Sequence, residues 1–137
     1  MITGTVPGGK VVLFNLIKGG TTSFTVPAGK LYHLLWVAGN YTADATVVTR
    51  TFYSQVTMIN TDGMLLSYTQ PTASSTKWFS YNVAVDSPLS PQDSTHGLGN
   101  PLILYPGHKY EVLVANGVAG DTWKAEGIYL ITPLVIP

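Results

Sequence analysis

The chain contains no cysteine, so neither a disulfide framework nor a thiolate metal site can be drawn from it. Charge is scarce: Asp, Glu, Lys and Arg make up 10% of the 137 residues, where an average domain carries about 25%. Neither sign is in excess, because seven basic residues balance seven acidic ones. That balance removes the electrostatic attraction on which binding to phosphate backbones or anionic lipid depends, so neither nucleic acid nor membrane is an expected partner. The longest uncharged apolar stretches, around Leu31 to Ala38 and Ile128 to Pro137, fall far short of the roughly 20 residues that cross a bilayer. The first ten residues lack the basic segment and apolar run of a secretory signal, and synthesis and retention in a cytoplasm are expected.

What the chain has is an ordinary apolar content, 45%, which excludes disorder. Its length suits a single domain spanning residues 1–137. Fourteen glycines and nine prolines break it into short segments rich in Val, Thr, Tyr, Phe and Ile, the pattern of an all-β protein. Strands are predicted at residues 10–17, 21–26, 30–38, 45–53, 55–60, 64–69, 76–85, 101–105, 108–115 and 122–134. Residues 30–38 are apolar on both faces, with Tyr32, Leu34 and Trp36 on one and Leu31, Leu35 and Val37 on the other, so a covered central strand is expected there. In residues 76–85, Phe79, Tyr81, Val83 and Val85 alternate with Trp78, Ser80 and Asn82, which predicts one core face and one partly wet face. Asp86 to Asn100 shows neither helical nor strand period and reads as the longest loop. The segments Thr5 to Lys10 and Thr25 to Lys30 share five of six residues at an offset of 20. Two copies are too few for a solenoid or propeller, so the echo reads as one turn solution used twice, Pro fixing φ and Gly taking the left-handed residue.

Chemistry is sparse. His33, His96 and His108 show no His-x-His or His-x-x-x-His spacing, and the carboxylates are scattered, so no metal site and no cofactor are expected. His33 reads as a hydrogen-bonded sheet histidine and His108, after a Pro-Gly turn, as exposed. Asp93-Ser94-Thr95-His96 puts an acid, a hydroxyl and an imidazole in one loop, but nothing there supplies an oxyanion hole, and a solvated loop is the favoured reading. Asp62, Asp86, Asp93 and Asp121 stand in turn contexts where Asp is ordinary. No catalytic residue is therefore assigned and no enzyme is expected. Trp78, with Ser80 and Asn82 beside it and Asp93 and His96 in the neighbouring loop, is the candidate contact for a partner or a glycan. The charge deficit points the same way. Seventeen Thr and nine Ser keep part of the surface wet, and the remainder is expected to be covered by other subunits, since obligate interfaces are poor in Lys, Glu and Asp.

The turn Val26-Pro27-Ala28-Gly29-Lys30 before an apolar strand, the late Pro101-Leu102-Ile103-Leu104-Tyr105-Pro106-Gly107 leading into Tyr110-Glu111-Val112, and the final Gly127-Ile128-Tyr129-Leu130 strand together resemble jelly-roll modules of bacteriophage particles, such as head decoration proteins and tail or fibre tip domains. The resemblance covers most of residues 20 to 134. It implies an antiparallel two-sheet jelly-roll sandwich and a homo-oligomer, commonly a trimer. It also implies a structural or receptor-contact role in a virion, with viral coat or tail protein as partner, and no catalytic residues. On this reading the loops at one end and an N-terminal arm, residues 1–9, bind the shell. The alternative role is a tail or fibre module that binds host glycan. Cupins share the jelly roll, but their His-x-His metal motif is missing here.

Overall fold

The computed structural model describes residues 9–58, 63–82, 94–97 and 102–134. Ten strands form in chain order: β1 (Lys10–Ile17), β2 (Ser23–Thr25), β3 (Lys30–Thr42), β4 (Thr51–Thr57), β5 (Gly63–Thr69), β6 (Thr76–Asn82), β7 (Ser94–Gly97), β8 (Leu102–Leu104), β9 (Lys109–Ala115) and β10 (Thr122–Pro133). They make two sheets, one ordered β1-β10-β3-β6-β7 with β8 paired to β3, the other ordered β2-β9-β4-β5. Every pairing is antiparallel except β6 with β7. The fold is thus the all-β two-sheet sandwich that the strand spacing implies, and its strand order, in which β1 meets β10 and β2 meets β9, is compatible with a jelly roll.

The two inner faces share one core. From the larger sheet come Leu16, Leu34, Val37, Tyr41, Phe79, Tyr81 and Ala125, and from the smaller one Phe52, Val56, Tyr110 and Val112, all buried. Aromatic rings pack against one another within this core. Tyr32 stacks on Tyr129 at a centroid distance of 4.4 Å, Tyr129 on Phe24 at 4.9 Å, and Phe52 packs on Phe79 at 4.7 Å. Such offset and tilted pairs suit the ring quadrupole and each add about 1 kcal/mol beyond the area they bury. At the place where Phe52 and Phe79 meet, β3 carries Gly39. A β-carbon there would stand 2.6 Å from the Phe79 ring and 3.0 Å from the Phe52 ring, so only glycine lets these rings lie against the strand.

Three features depart from the simple alternation of the sequence. First, the pairing of β3 with β10 slips at Ile128/Tyr129, where Trp36 and Leu34 face consecutive residues and Leu35 is the extra one. This β-bulge switches the inward set from Tyr32 and Leu34 to Val37, Gly39 and Tyr41, so Trp36 stands on the outer face, not with Tyr32 and Leu34. Second, residues 45–50 form no strand; β4 begins at Thr51 and runs unbroken to Thr57, because the chain before it folds around the Arg50 side chain. Third, the expected long loop of residues 86–100 contains β7, laid parallel to β6 with Tyr81 opposite His96. The end of the echoed turn behaves as read: Gly29 takes φ +78°, as does Gly107 at +87° in the Pro106-Gly107 turn. The first copy of the echo and most of the N-terminal arm lie outside the described residues.

Candidate functional site

The outer face of the larger sheet carries Trp78, Ser80 and the position of Asn82, three of the residues singled out from the sequence, whereas His96 is in register with the inward-facing Tyr81. The register aligns Lys124, Asn40 and Trp78 in one row, Glu126, Ala38 and Ser80 in the next, and Ile128, Trp36 and Asn82 in a third. Trp78 is half-buried, whereas Ser80 has no exposed surface and Ala38 almost none. Ser80 is therefore closed to an outside partner. Asn82 and His96 are placed by the backbone, in β6 and β7, while Asp93 lies outside the described residues. The bulge adds a residue that alternation had put inside. Trp36 stands with Leu13, Asn15 and Glu126 around a cleft of about 290 Å³. Its signal in the sequence was the double apolar run of β3, which a bulge explains better than burial on both faces.

Exposed apolar side chains are the other notable feature of the surface. On the outer face of edge strand β1, Leu13 is 77% exposed, flanked by Val11 and Ile17, each close to half exposed. On the smaller sheet, Leu65 and Tyr68 of β5 are similarly exposed and, with Tyr53 of β4, line a shallow apolar depression. Glu111 of β9 also lies on this sheet. Burial works to raise its pKa, but hydrogen bonds from Gln55 and Lys109 outweigh that and hold the carboxyl below its usual range.

Among the described residues the most heavily hydrogen-bonded carboxylate is that of Asp121, between β9 and β10. Its carboxylate is 1% exposed and accepts five hydrogen bonds: from the Tyr41 hydroxyl, from Arg50 Nε at 2.7 Å and Nη2 at 3.1 Å, and from the backbone amides of Asp44 at 2.9 Å and Val118 at 3.0 Å. Arg50, with no exposed surface, also donates to Asp44 Oδ1 and to the carbonyls of Thr46 and Val48. Lys18 Nζ then donates to the carbonyls of Val118, Ala119 and Asp121. One end of the sandwich is thereby clasped, with the β3–β4 and β9–β10 connections and the start of the β1–β2 turn bound to one another. Burial acts to raise the Asp121 pKa, but the Arg50 and Tyr41 hydrogen bonds and the two amides prevail and hold it well below the carboxylate range. Burial and the Asp121 carboxylate push the Tyr41 phenol up. Every lone pair of the carboxylate is engaged and water is shut out, so the group is structural and has no access to a substrate.

The two histidines whose side chains are described are both accounted for. His33 Nε2 shares a hydrogen bond with Thr132 Oγ1 at 2.9 Å, as expected of a sheet histidine, and burial lowers its pKa. His108 is half-buried, not exposed: its Nδ1 accepts the Tyr105 amide and closes the Pro-Gly turn. Among the described residues no group of three His, Asp or Glu side chains is placed to hold a metal ion. No family model, no curated protein and no solved structure matches this chain.

Proposed function

We propose that this chain is a non-enzymatic structural protein of a phage-like particle, a capsid decoration protein that assembles with copies of itself and binds neighbouring coat subunits. The observation that carries this reading is the placement of apolar side chains on the outside of both sheets, Val11, Leu13 and Ile17 on one and Leu65 and Tyr68 on the other, on a chain with almost no charge to spare for them. Monomeric proteins seldom leave such stripes open, and charge-poor apolar areas belong to permanent contacts. The strand order and the turn motifs support the phage part of the reading. Purified protein added to particles assembled without it should bind to saturation at a fixed ratio to coat subunits. Absence of binding at micromolar concentration overturns the role.

A second reading is favoured by one specific observation, the cleft where Trp36, Asn15 and Glu126 converge. An indole beside an amide and a carboxylate is a combination that can stack on a pyranose ring and bind its hydroxyls, and a tail or fibre module would use it on a host glycan. A glycan array separates this role from decoration, and Trp36→Ala should abolish any glycan signal that Trp78→Ala leaves intact.

A further inference from the structure

Strand β1 is the edge of the larger sheet and pairs, among the described residues, only with β10. The direction of its free backbone groups follows from one hydrogen bond. Lys18 N–H donates to the Trp123 carbonyl, so in an antiparallel ladder the even-numbered residues of β1 bond to β10 and the odd-numbered ones turn their N–H and C=O groups outward. At Ile17 both outward groups are already used, the amide by the Thr21 carbonyl and the carbonyl by the Gly20 amide. The open stretch therefore consists of Val11, Leu13 and Asn15, and it is symmetric about Leu13. No charge interrupts β1 between Lys10 and Lys18, and it carries neither the proline nor the bulge with which proteins ordinarily close an edge.

We propose that β1 pairs antiparallel with β1 of a second copy of this chain about a two-fold axis through Leu13, which joins the larger sheets of the two copies into one. Sheet geometry limits the register, and centring on Leu13 is the choice that pairs all three open residues within β1. Side chains alternate between faces, so only pairings whose residue numbers add to an even total keep inner faces together. Centring on Leu13 pairs Val11 with Asn15 of the second copy, Leu13 with its own counterpart, and Asn15 with Val11, and each pair exchanges two backbone hydrogen bonds. Centring on Phe14 would need the Ile17 groups that the turn occupies and would set Lys10 against Lys18. In the Leu13 register Lys10 faces Leu16, and the exposed Leu13 side chains of the two copies cover each other. A seam of this length lies at the low end of specific interfaces, so the dimer is concentration-dependent. The contact specifies one partner of the assembly reading above. Being two-fold, it leaves a trimer to some other surface.

The absence of cysteine makes the test clean. In a hydrogen-bonded antiparallel pair the Cα atoms lie about 5.5 Å apart, within disulfide range. Leu13→Cys should therefore oxidise to a covalent dimer at least tenfold faster than the exposed control Ile103→Cys. Val11→Cys and Asn15→Cys should each form no disulfide alone and cross-link when mixed. In sedimentation, Leu13→Lys should remain a monomer at concentrations where the unmodified protein has become a dimer, and at concentrations where both are monomers the two should melt at the same temperature. Leu13→Cys oxidising no faster than the control, or Val11→Cys linking to itself as readily as Leu13→Cys, overturns the proposal. All measurements use the isolated protein, so they can succeed where particle binding fails and the two readings are judged separately.

Discussion

Asp121→Asn exchanges one atom for another of similar size and should still be among the most damaging changes available. The carboxylate receives five donors; an amide offers one oxygen and turns an N–H₂ group toward donors that have nowhere else to go. It also leaves the Arg50 guanidinium buried with only Asp44 as counter-charge. Removing one partner of a buried ion pair typically costs about 3–5 kcal/mol, which for a chain of this size lowers the melting temperature by roughly 10–20 °C. The same group sets an acid limb. Its folded pKa lies below the unfolded value of about 3.9, so its contribution is fully present above pH 4 to 5 and is lost as pH falls toward the folded value. Urea unfolding of both proteins between pH 7 and pH 3 should show a wide gap at neutrality that narrows on acidification, because the variant has no such carboxylate to protonate. If Asp121→Asn stayed within about 1 kcal/mol of the parent at pH 7, or the gap did not change with pH, the clasp would not be the source of stability assigned to it.

Gly39→Ala should destabilise by about 1–3 kcal/mol through contact with the Phe79 and Phe52 rings, and Phe79→Leu in the same chain should recover part of that loss in thermal denaturation. Phe52→Ala should cost about 3–5 kcal/mol by opening a cavity between the sheets. At the alkaline end, Tyr41 and Tyr110 have phenols raised by burial, so stability is fully retained below the unfolded value of about 10 and is lost progressively as pH rises above it. Tyrosinate absorbance for these two should rise only together with unfolding. Tyr81→Phe removes a buried hydroxyl that has no well-formed partner although the Leu102 backbone adjoins it, and its melting temperature should match or exceed that of the parent.

What could be read from the sequence was whatever depends on local period and turn chemistry. Strands β1, β9 and β10 fall within a residue of their expected bounds because β-favouring apolar residues fill them and Gly, Pro or Asn stands near their ends. Residues 45–50, the first part of the strand expected at 45–53, form no strand for a different reason. The Thr and Val among them favour strands, but Arg50 reaches Asp121, 71 residues away, and takes the Thr46 and Val48 carbonyls that a strand would have needed. No local pattern could show this, since Asp121 alone looks like any turn aspartate. The bulge at Leu35 was hidden in the same way: a one-residue slip depends on the partner strand, and a doubly apolar segment fits either face. Trp36 and Glu126, 90 positions apart, became neighbours only through that pairing.

The clasp also bears on how the surface meets a partner. With fourteen charged residues in the whole chain, placing Arg50 and Asp121 inside leaves the exterior poorer still, and the charges that remain are too few to steer association over a distance. Recognition then rests on short-range terms: apolar cover, and backbone groups whose direction the register fixes. Such terms specify geometry strongly and accelerate encounter little. Assembly through β1 should accordingly respond weakly to ionic strength. A dimer fraction that fell steeply between low and high salt in sedimentation would mean that charge, and not the Leu13 seam, holds the copies together.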